Sequence, residues 1–189
     1  TEIKNYFGEI EKVDSTWVIN AAGLNSDIIG SFFSINVPKL KFLKGSYFKL
    51  SSKWKNKFDR LIYPLPNKEH GSLGIHLTID ADGMARLGPS AEWCFKREEN
   101  YQVDESLINK FYEEGVKYIP DLEIDDLTPD YSGIRPKIHL QEDSMPDFYI
   151  KHEIDNDLFG FINLIGIESP GLTGSLAIGE DIAKMITES

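Results

Sequence analysis

The stretch Gly74-Ile-His-Leu-Thr-Ile-Asp-Ala-Asp-Gly-Met-Ala-Arg-Leu-Gly88 predicts an antiparallel β-hairpin. Its first half alternates with a period of two, so its aliphatic side chains share one face of a strand and His76 lies on the other. These aliphatic residues are Ile75, Leu77 and Ile79. The segment Asp80–Gly83 is a turn signal, and Met84–Gly88 is expected to return as the paired strand. The hairpin therefore predicts a sheet with one packed face.

Further strand candidates lie on both sides of this hairpin, within residues 40–95 and 131–167. They are Lys44–Leu50, Arg60–Leu65, Lys137–Leu140, Asp147–His152 and Phe161–Ile167. The segment Asp104–Ile119 predicts a helix, because Asp104 is a candidate N-cap and apolar residues recur at helical spacing as far as Pro120. These elements predict an α+β fold with a mixed, mostly antiparallel sheet and packed helices.

Each end of the chain predicts a strand, a turn of small residues and a helix. Near the start, Trp17–Gly23 is an apolar run, after which Ser26 and Asp27 are expected to cap a short helix. Near the end, a Gly-rich turn leads into a helix with an expected apolar face of Leu172, Leu176, Gly179, Ala183 and Ile186. Such a turn lets a ligand approach the backbone, and the helix N-terminus attracts negative charge. On the residues alone, a Gly-rich turn that binds nothing is an equal alternative.

The composition of the 189 residues is that of a globular protein with one or two domains. A net charge of −11 argues against a nucleic-acid partner, and no apolar run is long enough to span a membrane. Cys94 is the lone cysteine, which excludes an internal disulfide and favours a cytoplasmic location, at most peripheral to a membrane. The four histidines lack metal-ligand spacing, so no metal site is expected. The start at Thr1 indicates a fragment.

Two side chains are candidates for binding and proton transfer. Arg135 lies in a Gly-Ile-Arg-Pro context, and a guanidinium matches a carboxylate, although a structural salt bridge is the alternative. His76 is the candidate general base, with a surface histidine or a structural, hydrogen-bonded one as the alternative. A serine hydrolase is not favoured, because Ser169 follows Gly166 by three residues instead of two and every histidine precedes it.

Several short segments occur in an order that is more specific than any one of them. They are Val18–Leu24 with Ser26-Asp27, Lys44–Tyr47, Ile62–Pro66, Leu73–Thr78, Asp82-Gly83, Leu87–Pro89, Ser132–Pro136 and Glu168–Thr173. Together they resemble the D-amino-acid-oxidase superfamily of FAD-dependent oxidoreductases, closest to its L-2-hydroxyglutarate dehydrogenase branch. The segment between Cys94 and Asp130 is shorter than in that branch, which leaves the identity of the substrate open.

The resemblance implies a two-domain enzyme that binds FAD between a nucleotide-binding domain and an antiparallel substrate domain. Residues 1–36 and 160–189 would be C-terminal parts of the FAD-binding domain, and residues 37–159 the substrate-binding domain. Arg135 would bind a small carboxylate-bearing substrate, and His76 would be the catalytic base. Tyr47 and Tyr63 lie on neighbouring strand candidates and are expected to line the substrate pocket, with a place in the core as the alternative. The residues expected to contact FAD are Asn20, Ala21, Ala22, Gly23, Ser169, Pro170, Gly171, Leu172 and Thr173.

The activity that the resemblance implies is transfer of a hydride from a small 2-hydroxy acid, similar to L-2-hydroxyglutarate, to the flavin. An amino-acid or amine oxidase of the same superfamily and a non-catalytic isolated module are the alternatives. The glycine fingerprint of a dinucleotide-binding fold is missing, so an N-terminal FAD-binding half is expected upstream and this chain alone is expected to be inactive. No residue pattern indicates the electron acceptor.

Overall fold

The computed structural model describes residues 2–65, 74–138 and 146–188. Three predicted segments extend outside the described residues: Ile62–Pro66, Leu73–Thr78 and Lys137–Leu140. Two of the four histidines, His70 and His139, also lie outside them. In the described part the strands are β1 (Glu2–Lys4), β2 (Ile10–Lys12), β3 (Val18–Asn20), β4 (Leu40–Leu50), β5 (His76–Ile79), β6 (Ala85–Gly88), β7 (Glu92–Cys94), β8 (Leu127–Ile138), β9 (Tyr149–His152) and β10 (Phe161–Ile165). The α-helices are α1 (Ser26–Ser31), α2 (Ile108–Gly115) and α3 (Gly171–Thr187).

The chain divides into two compact units. The first comprises Thr1–Leu40 and Pro136–Ser189, and the second comprises Lys41–Arg135. The expected substrate-binding domain, residues 37–159, and the second unit, Lys41–Arg135, share most of their residues but have different bounds.

The first unit contains a three-stranded sheet in the order β3-β10-β9 and a separate hairpin of β1 and β2. Strand β10 is parallel to β3 and antiparallel to β9, and all five of its residues are buried. Helix α3 packs on this sheet through Ile182, which belongs to one apolar cluster with Ile162 and Leu164. The sheet therefore presents the ends of two parallel strands, β3 and β10, at the same edge.

The second unit is built on a five-stranded sheet in the order β5-β6-β4-β7, with β8 also paired to β4. The predicted hairpin is confirmed, with His76 opposite Gly88 and Leu77 opposite Leu87. Helix α2 covers the apolar face of the sheet, where the rings of Phe48 and Phe111 lie 4.5 Å apart. Together with the first unit, these antiparallel sheets and few helices confirm the α+β class.

Helix α2 is shorter than the sequence pattern predicts. Asp104 does act as an N-cap, of the 3-10 turn Glu105–Leu107 that leads into α2, and accepts a hydrogen bond from the Ser106 N–H at 2.9 Å. The α-helix ends at Gly115, however, and the predicted end at Ile119 was wrong. A Cβ on Gly115 would lie 2.6 Å from a Leu87 methyl, so this glycine lets the helix meet the sheet, and glycine also weakens helix continuation.

Three strand predictions need correction. Arg60–Leu65 forms only an isolated bridge between Ile62 and Leu77, because Pro64 has no N–H to donate to a ladder. Strand β8 begins at Leu127, so the Tyr131–Pro136 segment, expected to precede a strand, lies within one. Strands β9 and β10 belong to the sheet of the first unit and not to the main antiparallel sheet. Pairing partners depend on distant parts of the chain, which local patterns do not encode.

The two short-range helix expectations at the chain ends were also partly wrong. Asn25 occupies the N-cap position of α1, while the Asp27 carboxylate accepts a hydrogen bond from the Leu40 N–H at 3.2 Å. Helix α3 is confirmed, but Leu172 and Leu176 are 91% and 88% exposed and do not form its buried face. That face is centred on Ile182 because the sheet lies on that side of the helix.

Asp126 is a buried carboxylate at the start of β8. It accepts hydrogen bonds from the Ser51 hydroxyl at 2.7 Å and the Trp54 indole at 3.0 Å, and the Lys53 ammonium lies 2.8 Å away. Burial alone would raise the pKa of Asp126, but the hydrogen bonds from Lys53, Ser51 and Trp54 hold it well below its usual range. The ionised form is therefore favoured by the folded state.

We expect Asp126→Asn to lower the free energy of unfolding at neutral pH by about 2 kcal/mol, since it leaves buried donors without an anionic acceptor. The exposed neighbour Asp125 supplies the control, Asp125→Asn, which should change stability little. Because the folded-state pKa is depressed, the stabilisation is present above the ordinary pKa of 3.8 and is lost as the pH falls below it. Urea unfolding at several pH values measures both effects, and equal losses for the two variants would contradict the assignment.

Candidate active site

His76 lies on the face of the second unit's sheet that is opposite the apolar core. Its strand neighbours Ile75 and Leu77 are buried in that core, as the alternation predicts. The Nδ1 atom lies 3.0 Å from the Gly74 carbonyl oxygen. Because a carbonyl can only accept, Nδ1 carries the proton in the neutral ring and Nε2 keeps its lone pair. This tautomer makes Nε2 a base.

The surroundings of His76 favour its neutral form. Its side chain is buried, and its ring stacks on Tyr63 with centroids 4.3 Å apart. Burial lowers the pKa of His76 below 6.5, the hydrogen bond with Gly74 opposes this shift, and the positive charge of Arg135 lowers the pKa further. At neutral pH the imidazole is therefore able to accept a proton.

Tyr47, in β4, contacts residues of β6 and β8 on the same face of the sheet as His76. Its ring stacks on Tyr131, with centroids 4.6 Å apart and planes at 17°. It also lies against Gly88, where a Cβ would come within 2.5 Å of the Tyr47 ring, so only glycine fits there. Burial raises the pKa of Tyr47, whereas the positive charge of Arg135 lowers it. The Tyr47 hydroxyl therefore stays protonated.

Arg135 is half-buried in β8, and its guanidinium acts electrostatically on both His76 and Tyr47. Arg135 lies on the same face of β8 as Tyr131, whose ring stacks on Tyr47, and Tyr47 lies against Gly88, the partner of His76 in the sheet. The structure thus brings four predicted residues together in the second unit: His76, Tyr63, Tyr47 and Arg135. In such a group the guanidinium can bind the anionic end of a ligand, and the neutral imidazole can accept a proton from an adjacent atom of that ligand.

The predicted flavin-contacting residues lie in the first unit, in two turns at one edge of its sheet. Strands β3 and β10 are parallel, so the turn Ala21–Gly23 and the turn Gly166–Pro170 both follow the carboxyl ends of strands. Ligands of open α/β sheets bind outside such ends. Ala21, Gly23 and Ser169 are exposed at this edge.

The second turn leads into the N-terminus of α3, which fits an anionic ligand group. Pro170 occupies the N-cap position, and among the described residues no side chain caps this end, which leaves first-turn N–H groups such as those of Leu172 and Thr173 to other acceptors. Gly171 is buried, and a Cβ there would lie 2.5 Å from Ile167. Backbone donors with the positive end of a 17-residue helix match the pyrimidine edge of a flavin, which becomes negative on reduction.

Asn20 has a different role from the other predicted flavin contacts, since its side chain is buried and bonded within the unit. Its amide donates to the Ser26 carbonyl and to Asn163 Oδ1, both at 2.7 Å. Asn163 in turn donates to the fully buried Glu153 at 2.8 Å, which also accepts from the Tyr149 hydroxyl at 2.8 Å. This network holds the first turn through residues that the sequence did not indicate.

The sequence also missed Tyr131, Gly133 and Gly88 in the second unit. Tyr131 and Gly133 precede Arg135 by four and two residues in one strand, so all three lie on the same face. A strand prediction for this segment would have grouped them. In residues 2–65, 74–138 and 146–188, no cluster of metal-ligating side chains occurs. No helix in the same described part is long and apolar enough to cross a membrane.

Comparison with protein families and with individual proteins gives a consistent result. The family model described as FAD dependent oxidoreductase matches residues 1–185. The chain is 41% identical over 179 residues to the mitochondrial L-2-hydroxyglutarate dehydrogenase of Arabidopsis thaliana, covering 88% of this chain and 37% of that protein. It is 29% identical over 178 residues to the glycerol 3-phosphate dehydrogenase of Caloramator mitchellensis, covering 93% of this chain and 35% of that protein.

Two solved structures share the fold. One is the dithionite-reduced L-α-glycerophosphate oxidase from Mycoplasma pneumoniae with FAD bound, with a TM-score of 0.73, 21% identity and coverage of 89% of this chain and 42% of that one. The other is the glycine oxidase from Bacillus cereus, with a TM-score of 0.64, 18% identity and coverage of 91% and 43%. The chain thus spans less than half the length of each of these four proteins.

Proposed function

The chain belongs to the FAD-dependent oxidoreductase family, and from that premise we propose that it supplies the substrate-binding groups of an enzyme that oxidises a small 2-hydroxy acid similar to L-2-hydroxyglutarate. In this proposal the second unit binds the substrate and the first unit contributes the turns that contact FAD. The 41% identity to a plant L-2-hydroxyglutarate dehydrogenase supports the choice of substrate class.

The observation that carries the proposal is the grouping of a positive charge with a neutral histidine. Arg135 acts electrostatically on His76, whose Nδ1–H is held by the Gly74 carbonyl. A 2-hydroxy acid has a carboxylate next to the carbon that bears the hydroxyl, so the two recognition groups must lie close together. A guanidinium for the carboxylate and an imidazole lone pair for the hydroxyl proton meet that requirement.

The proposed reaction divides the chemistry between the residues and the cofactor. Arg135 binds the substrate carboxylate and fixes the orientation of the carbinol carbon, and the Tyr47 hydroxyl donates a further hydrogen bond. His76 accepts the hydroxyl proton at Nε2, while Tyr63 stacks on the imidazole and limits its access to water. When bound, FAD accepts the hydride that leaves the carbinol carbon.

The FAD site of this proposal needs an N-terminal half. The turns Asn20–Gly23 and Ser169–Thr173 offer backbone groups to a flavin, but the glycine loop that binds a dinucleotide pyrophosphate lies outside this sequence. The relatives are more than twice as long as the chain, which supports an upstream nucleotide-binding half. Within the described residues, β3 has a strand neighbour on one side only and a groove of about 390 Å³ lies beside Ile19 and Ile178. We propose that the upstream half packs there.

A glycerol 3-phosphate oxidising enzyme is the second candidate. The observation that favours it is the 29% identity to a glycerol 3-phosphate dehydrogenase over 93% of this chain. A guanidinium binds a phosphate as well as a carboxylate, and a secondary alcohol also needs a base, so Arg135 and His76 serve either substrate.

The test is anaerobic reduction of the bound flavin in the full-length enzyme. We expect the second-order rate constant of flavin reduction to be at least tenfold higher for L-2-hydroxyglutarate than for glycerol 3-phosphate, glycine or D-alanine. A tenfold preference corresponds to about 1.4 kcal/mol. Faster reduction by glycerol 3-phosphate would establish the second candidate. Reduction only by the amino acids would instead assign the enzyme to the amine-oxidising class.

A further inference from the structure

Strand β8 presents three successive positions toward the same side of the second unit. Tyr131, Gly133 and Arg135 are two residues apart, so they share one face of the strand. That face is the one that Tyr47 occupies, because Tyr131 stacks on Tyr47 and Arg135 acts on its hydroxyl. The row therefore places an aromatic hydroxyl and a guanidinium on either side of a glycine.

The middle of this row is open. A Cβ built on Gly133 meets no atom within 4 Å, and Gly133 is itself exposed. The backbone there has no left-handed φ, so glycine is not required by the backbone conformation. The lack of a side chain at this position instead leaves space beside Arg135.

Tyr131 supplies a hydrogen-bond donor on the same face of β8 as this open position. Its ring is fixed on Tyr47 at a centroid distance of 4.6 Å, yet the residue remains 50% exposed. The stacked ring of Tyr47 holds Tyr131 in place, and the Tyr131 hydroxyl can donate one hydrogen bond. Together with the positive field of Arg135, this donor favours an anionic acceptor over an apolar group.

The spacing of the row limits the size of the ligand. Four residues of a strand rise about 13 Å, which separates the Cα atoms of Tyr131 and Arg135. Side chains that leave one face of a strand are roughly parallel, so the two donor groups are also well separated. A single carboxylate cannot contact both, whereas a ligand with an anionic group at each end can.

We infer that Tyr131 and the open position over Gly133 form a second subsite, which holds an anionic group at the end of the substrate remote from the reacting carbon. This inference rests on the proposed function, in which Arg135 binds the carboxylate next to the carbinol. Tyr131 is then a specificity-determining residue for dicarboxylic over monocarboxylic 2-hydroxy acids.

The experiment compares kcat/KM for L-2-hydroxyglutarate with that for the monocarboxylate L-2-hydroxybutyrate in the full-length flavoenzyme. We expect Tyr131→Phe, which keeps the stacked ring, to lower the ratio of the two values about tenfold by removing a hydrogen bond to a charged group. Gly133→Val should also lower it about tenfold by filling the subsite. Its melting temperature should not fall, because the new side chain meets no atom and strands tolerate valine.

Two surface variants are the matched controls, and neither should change the ratio. Tyr6→Phe removes the hydroxyl of a tyrosine that is 98% exposed, and Thr128→Val places a valine at an exposed position of the same strand. An unchanged ratio in Tyr131→Phe and Gly133→Val, with the wild type active on hydroxy acids, would overturn the subsite alone. A wild type that oxidises neither acid would overturn the proposed function and the subsite with it.

Discussion

Replacing His76 with alanine in the full-length enzyme is expected to slow flavin reduction by about 10²–10⁴-fold. The reason is the loss of the Nε2 lone pair, which accepts the proton. The hydrogen bond from Nδ1–H to the Gly74 carbonyl keeps this lone pair available by setting the tautomer of the ring. Substrate binding should change little, because the carboxylate is held elsewhere. Rapid-mixing measurements of flavin reduction separate the rate at saturation from the apparent dissociation constant of the substrate.

The pH dependence distinguishes loss of a base from loss of packing. Protonation removes the lone pair, so kcat/KM of the wild type should fall as the pH decreases through the pKa of His76. Because burial and Arg135 lower this pKa, the fall should lie below pH 6.5. The acidic limb should be absent in His76→Ala and in His76→Asn, which can still donate to the Gly74 carbonyl. A normal acidic limb in either variant, or undiminished oxidation of the hydroxy acid, would show that another group is the base.

Arg135→Met is expected to lower kcat/KM for the hydroxy acid by roughly 30-fold or more. Leaving a desolvated charged pair half-made costs about 2–5 kcal/mol, and each 1.4 kcal/mol is a factor of ten. Arg135→Lys should recover only part of the loss, because an ammonium lacks the planar fork of a guanidinium. Steady-state kinetics on the acid and on its methyl ester measure the contribution of the carboxylate.

The ester is the control, since it removes the charge from the substrate instead of from the protein. The wild type should prefer the acid strongly, and Arg135→Met should lose most of that preference. Loss of the guanidinium should also move the acidic limb of the pH profile to higher pH, because its charge lowers the pKa of His76. If the mutant and the wild type prefer the acid equally, Arg135 is a structural residue and the carboxylate is bound elsewhere.

The hairpin of β5 and β6 shows how far local sequence determines this fold. Alternation of apolar and polar residues placed Leu77 in the core and His76 on the other face, because successive side chains of a strand point to opposite sides. The same reasoning failed at Arg60–Leu65, where a bridge at Ile62 replaces a strand. It also failed for Leu172, whose exposure depends on which side of α3 meets the sheet.

Local patterns predicted the α+β class, the hairpin, the N-cap at Asp104 and helix α3, and the ordered motifs predicted the family. The neighbours of each candidate residue depend instead on how the strands pair and pack. The stacking of Tyr131 on Tyr47 and the network from Asn20 to Glu153 join residues that are far apart in the chain. The open position over Gly133 likewise depends on which segments pack beside β8. The face of a strand on which a side chain lies can be predicted from periodicity, because it alternates from one residue to the next. Strand pairing, by contrast, is set by packing between distant segments, which no local pattern records.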